Sequence, residues 1–214
     1  MKYAYGCSAL LLASLALVAQ ASRPTPNDSK AWHITPGGSV GVINSQMTED
    51  SLINAWGKKN VTWGDAYVGE GMTVPGTILF ANNPQRRLEI IWKDNERRRA
   101  PDQAQIDGEK SLWKTTRDIT LGTSLKELER INGKPFVLSG FDTDYDGTVH
   151  SWRGGVLERE FCGNNVVLRL APAKTQHTAK QDFDAVLGDS EYSSDNPAMQ
   201  RINPVVYEIT WVFK

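Results

Sequence analysis

Two stretches of this chain carry the same punctuation, and their register constrains the fold more than any other feature. A shift of 76 positions, from 43 to 119, lays Ile119, Leu128, Gly133, Lys134 and Val137 over Ile43, Leu52, Gly57, Lys58 and Val61 without a gap. In the first stretch Thr48 can cap a short helix whose first turn carries Glu49 and Asp50, where the positive end of the helix dipole favours anions. Leu52, Ala55 and Trp56 form its apolar side, and Gly57 supplies the stop. In the second, Ser124 and Glu127 make an S-x-x-E capping box, Leu125, Leu128 and Ile131 face inward, and Gly133 then Pro135 end the helix. Each copy therefore opens with a helix.

Strands are expected after each helix. Residues 77–81 and 88–93 are joined by an Asn82-Asn83-Pro84 turn, with Leu88, Ile90 and Trp92 on one face and Arg87, Glu89 and Lys93 on the other. Residues 103–107 and 112–116 add two more. In the second copy 136–141, 148–152, 157–162 and 166–170 repeat the scheme, the last pair hinged at Gly163-Asn164-Asn165. Short connections between consecutive strands imply antiparallel pairing. Beyond the repeat, Thr178 and Gln181 suggest a capped helix holding Phe183, Val186 and Leu187 and stopped by Gly188, and 190–197 reads as a polar loop. The chain ends in a period-two strand with Val205, Tyr207, Ile209, Trp211 and Phe213 on one face. The expected fold is α+β, two tandem helix-plus-antiparallel-meander repeats forming one sheet-based domain over 32–214: repeat one about 32–116, repeat two about 117–172, and a C-terminal helix, loop and strand over 173–214.

Lys2, the apolar run from Ala9 to Val18 and the small-x-small Ala19-Gln20-Ala21 read as a signal peptide over 1–21, cleaved after Ala21, with 22–31 a flexible leader. The run falls short of the about 20 apolar residues that span a bilayer. No transmembrane segment is expected in the mature protein. Cys7 precedes the apolar run, where a lipoprotein's cysteine would follow it, so the protein is not expected to be a lipoprotein. Cleavage leaves Cys162 alone, without an intramolecular disulfide. The whole chain has 24 basic and 25 acidic residues, and removing Lys2 leaves 23 against 25, a net charge of −2. Such a balance argues against a nucleic-acid partner, which draws on a basic face.

The tandem pattern of a capped helix, a Gly-Lys or Gly-Lys-Pro stop and a following meander resembles the β-lactamase-inhibitor-protein-like superfamily, which includes outer-membrane assembly lipoproteins of the SmpA/OmlA type. Gly69-Glu70-Gly71, Gly76-Thr77-Ile78-Leu79-Phe80 and Asn132-Gly133-Lys134-Pro135-Phe136 are also similar to a family of uncharacterised exported bacterial proteins. The resemblance implies export, this architecture, and binding to a partner through a concave sheet or to other envelope proteins. The chain departs from both groups in lacking the lipid cysteine and the inhibitors' disulfides, so neither specific function transfers.

Asp142, Asp144 and Asp146 with Gly147 match the opening of a calcium loop. Position twelve, however, is Arg153 instead of a bidentate carboxylate, and the flanks read as strands. An Asp-rich turn is the expected role, and a calcium site the alternative. Gly37-Gly38-Ser39-Val40-Gly41 satisfies G-x-S-x-G without the strands that precede a nucleophile elbow, and reads as a turn. His33, His150 and His177 show no ligand spacing, and Glu158 and Glu160 read as a charged strand edge. Arg86, Arg87, Arg97, Arg98 and Arg99, with Lys93, form the strongest charge cluster, a solvated loop or a contact for an anionic or protein partner. The expected function is an exported, non-catalytic binding protein of the bacterial envelope, in the periplasm or outside the cell. Its expected partner is an envelope protein, bound through the sheet face or loops, or an anionic envelope component. A calcium-binding envelope protein or a hydrolase is the alternative, and no other cofactor is implied.

Overall fold

The structure, a computed structural model, describes residues 29–35, 37–69, 71–144, 146–161, 166–174 and 179–214. The expected signal peptide, most of the leader, Cys162, the Gly163-Asn164-Asn165 hinge, His177 and the Thr178 cap lie outside them. The fold is mixed α+β, with strand predominating over helix.

After a 3-10 turn over Ser29–Trp32 come β1 (His33–Thr35) and β2 (Ser39–Val40). Helix α1 (Glu49–Trp56) follows, and then an antiparallel meander of β3 (Val61–Gly69), β4 (Met72–Leu79), β5 (Leu88–Asp94) and β6 (Arg99–Asp107). The second half contains β7 (Lys114–Thr115), α2 (Leu125–Asn132), β8 (Val137–Ser139), β9 (Val149–Ser151) and α3 (Val156–Phe161). It continues through β10 (Val166–Ala171), α4 (Lys180–Asp184), β11 (Glu191–Ser193), α5 (Pro197–Ile202) and β12 (Val205–Val212). The main sheet runs β10-β12-β6-β5-β4-β3, every neighbour antiparallel. A second sheet, β11-β8-β9, meets it through an antiparallel bridge between Thr148 and Arg169. The third joins β2, β1 and β7, with β7 parallel to β1. No helix among the described residues is long and apolar enough to cross a membrane.

The punctuation does its expected work at both helices. Each is 8 residues long, and their bounds keep the offset of the sequence register. Thr48 Oγ1 accepts from Ser51 N, and Ser124 Oγ accepts from Glu127 N. Each cap also pairs with the first residue of a central strand, Thr48 with Arg99 of β6 and Ser124 with Val205 of β12. Beyond the stops the two stretches diverge. Gly57 (φ 85°, ψ 143°) feeds a 3-10 turn and the four-stranded meander, whereas Gly133 (φ 73°, ψ 4°) closes a left-handed cap before Pro135.

The strand expected over 157–162 is the helix α3 instead. Leu157 and Phe161 would share one face of a strand, yet they also sit one helical turn apart, and so short a run cannot separate the two periods. Asn132, 1% exposed, decides between them. Its Oδ1 accepts from Leu157 N at 3.1 Å, and its Nδ2 donates to the carbonyls of Lys134 and Trp152. The Glu158 carboxylate takes the N–H of Trp152, so the turn entering α3 is held by side chains from both sides. Gly155 leaves room for the Asn132 amide, which a Cβ would overlap.

Three further expectations change. The strand over 112–116 shrinks to β7 and joins β1 outside the meander, because Trp113 is drawn into an aromatic cluster with Trp32 and Trp56, its ring 5.0 Å from Trp32. The polar loop over 190–197 holds β11 and the start of α5, capped by Asn196 with Pro197 in the first turn. In β12 a bulge at Tyr207 sets Leu170 opposite Val206 and Arg169 opposite Glu208. Ile209, Trp211 and Phe213 are buried as expected, but Val206 is buried in place of Val205 and Tyr207.

Candidate functional site: a covered polar row and its cleft

The inner face of the main sheet is apolar and packs with Leu52, Trp56, Leu125 and Leu128 into one core. The opposite face is polar, and its middle is covered. Pairing of β4 with β5 ends at Thr77 and Ile90, while β3 and β4 stay paired out to Gly69 and Met72. The free half of this hairpin folds back over the sheet. Gly64 and Gly76 face each other at the fold, where a Cβ on Gly76 would press on the Ile90 carbonyl and on Ala66. Ala66 is fully buried, and Tyr67 N donates to Glu89 Oε2 at 2.6 Å.

Beneath this arm, Glu89, Gln105, Glu208 and Thr210 are buried, none more than 9% exposed. Their charges are paired because a lone buried carboxylate is costly. Glu89 pairs with Arg87, and Arg169 lies 3.6 Å from Glu208. Thr210 Oγ1 is 3.2 Å from Glu208 Oε1 and 3.3 Å from Gln105 Oε1, while Gln105 Nε2 has no partner among the described residues. Burial pushes the Glu208 carboxyl above the usual range, against the pull of Arg169. Burial also raises the Tyr207 phenol to about 12, reinforced by the Glu208 charge.

The row opens at one end into a cleft of about 660 Å³. The ends of β6, β10 and β12 form it, with Ala171, Pro172, Ala173, Val205 and Val206 as apolar wall and Asp107 and Tyr207 at the polar end. Packing around the Asp107 carboxyl raises it, and the Glu89 charge adds to the effect. Glu109 and Lys174 pair across the mouth at 3.4 Å. Glu89 and Glu208 occupy the polar positions of their strands, which ordinarily face water. The signal that they are covered is the pair of glycines inside β3 and β4, which marks a bend.

The aspartates singled out from sequence do not converge. Asp142 adopts a left-handed backbone (φ 62°) and its N–H is held by Asp146 Oδ1, while Asp144 is exposed. Burial raises the Asp146 carboxyl, and the Asp142 charge raises it further against Arg169. Among the described residues no three His, Cys, Asp or Glu side chains are grouped to hold a metal. The arginines are engaged within the chain. Arg86 lies over the Trp32 ring, Arg87 pairs with Glu89, Arg97 and Arg99 share Asp94, and Arg98 is bound to Glu49 and lies 4.1 Å from the Trp63 ring centroid.

Ser39 lies opposite Thr35 in a β-hairpin and not at a strand-to-helix elbow; Gly41 is needed there because Ala31 and Trp113 press against it. His150 bonds Ser139 Oγ at 2.6 Å, a cross-strand pair the sequence did not suggest, with Ser139 only 3% exposed. Glu158 and Glu160 belong to α3, not to a strand edge; Glu158 holds the turn before it and Glu160 pairs with Arg117. Comparison with family models, with curated proteins and with solved structures gives no match.

These shifts set a pH dependence. Asp107, Asp146 and Glu208 hold protons more tightly folded than unfolded, so they add stability as pH falls toward the ordinary carboxylate range and remove it as pH rises. Asp94, Asp118, Glu127 and Asp182 are lowered, chiefly by hydrogen bonds, and their contribution is lost only at lower pH. The melting temperature is therefore expected to hold or rise from about pH 7 to about 5 and to fall below about 4, and Asp107→Asn to flatten the upper part. Thermal scans against pH test this; a steady fall from neutrality contradicts it.

Proposed function

We propose that the chain is an exported, non-catalytic binding protein of the bacterial envelope, and that it holds an extended segment of a partner protein along β3. The observation that carries this reading is the Trp63–Arg98 pair. β3 ends the main sheet among the described residues, and Trp63 on it is 37% exposed. Arg98 over its ring is fixed by Glu49 at 2.5 Å, and Glu49 is in turn held by Thr77 and, through Thr77, by Trp92. A rigid aromatic–guanidinium pair is the kind of anchor that concentrates binding energy. Val68 and Met72 extend exposed apolar surface along the same hairpin. The edge carries no lysine or proline to discourage strand addition.

The same reading takes the two halves as copies of one unit, a capped helix followed by antiparallel strands. The matched helix bounds, the matched cap bridges and the central position of β6 beside β12 support it. Export rests on the sequence of residues 1–21.

A photo-crosslinker replacing Asp65, on β3, in the mature protein within envelope extract tests the proposal. The expected result is a discrete adduct that Trp63→Ala reduces at least about ten-fold, the loss of a contact of about 1.4 kcal/mol or more. An adduct indifferent to Trp63→Ala, or no adduct together with turnover in a hydrolase panel, overturns it.

A further inference from the structure

We propose that the cleft beside Asp107 binds a small organic cation, a primary amine carried on an apolar body. The cleft's volume suits a compact ligand, and the alanine, proline and valine side chains of its wall offer no hydrogen bonds. Specificity must therefore come from the polar end.

There the charges do not balance. Glu89 has Arg87 and Glu208 has Arg169, so both guanidinium groups of the neighbouring row are taken. The bulge in β12 places Tyr207 beside the cleft, where burial and the Glu208 charge keep its phenol neutral. Among the described residues Asp107 makes no side-chain hydrogen bond or ion pair; the Arg87 charge, already paired with Glu89, and its own backbone N–H only partly offset its burial and the Glu89 charge. An ammonium group would supply the missing countercharge, and a partly desolvated carboxylate binds it more strongly than one in open water.

At the mouth Glu109 and Lys174 pair, and the Lys110 charge sits on the exposed rim in water, away from the partly desolvated Asp107 end. A shallower space of about 400 Å³, lined by Pro84 and Gln85, continues past Asp107 and gives a longer body somewhere to lie. Trp63 lies on β3 before the fold at Gly64, at the opposite edge of the main sheet from β10 and β12, so its surface is separate from this cleft.

The test is calorimetric titration of the full mature chain with benzylamine and with benzyl alcohol, which keeps the ring and lacks the charge. The wild type is expected to prefer the amine at least about ten-fold, the equivalent of 1.4 kcal/mol. Asp107→Asn, at an exposed position, should remove the preference, while Glu109→Gln and Trp63→Ala should keep it. No amine binding to the wild type, equal affinities for the two probes, or a preference that survives Asp107→Asn overturns the proposal. A preference that Glu109→Gln abolishes equally also overturns it, since diffuse negative charge and not Asp107 would then be responsible.

Discussion

A chain ending at Pro204 is expected to lose its cooperative unfolding transition altogether. β12 lies between β10 and β6, so its deletion strips the backbone hydrogen bonds from one side of each and splits the main sheet. It also removes Val206, Ile209, Trp211 and Phe213 from the core. Truncating a single large core side chain costs about 2–5 kcal/mol, and a whole domain is stable by only about 5–15 kcal/mol, so four such losses exceed what the fold holds in reserve. The damage spreads to the second helix, because Val206 N–H bonds to Thr123 O and Ser124 pairs with Val205. Urea titration followed by far-ultraviolet circular dichroism should show a broad, featureless change for the truncated chain against a single sigmoid for the full one. A sharp transition in the truncated protein would mean that β12 is an appendage.

The features legible in the sequence were those fixed by a few neighbouring residues. Thr48 and Ser124 cap, Gly57 and Gly133 stop, and Leu88, Ile90 and Trp92 alternate, because each effect acts within one turn or one strand. What escaped depends on residues far apart in the chain. Whether 157–161 coils or extends is settled by Asn132, 25 positions from Leu157. Whether Glu89 meets water is settled by an arm that bends at Gly64 and Gly76. The Arg86–Arg99 cluster looked like one patch because charge adds up along a sequence. In space its members turn to Trp32, Glu89, Asp94, Glu49 and Trp63, partners drawn from four strands or helices and their loops. The cleft left no local trace at all, since the three strand ends that form it are distant in sequence.

Gly147 shows how a residue can fit a ligand motif for a purely structural reason. As the sixth position of the Asp142 loop it would serve a calcium turn, yet the structure gives it another task. Its N–H bonds to Gly140 O and its carbonyl accepts from Leu170 N, both at 3.0 Å, so the hairpin docks backbone to backbone on β10. With φ at 59°, a Cβ would point into the Leu170 carbonyl. Gly147→Ala is therefore expected to cost about 4 kcal/mol or more, the range reserved for steric conflict with an immobile backbone. Gly133→Ala is the control: its φ is also positive, but nothing lies within 4 Å of the added methyl. Only the left-handed penalty of about 1–2 kcal/mol should appear there. Urea melts of both variants in chelator, with unchanged slopes, measure the difference. If Gly147 served mainly to shape an ion site, the alanine variant would lose little in chelator, and added calcium would stabilise the wild type in proportion to its binding. A loss that is large in chelator and unmoved by calcium assigns the glycine to the joint between the second sheet and β10.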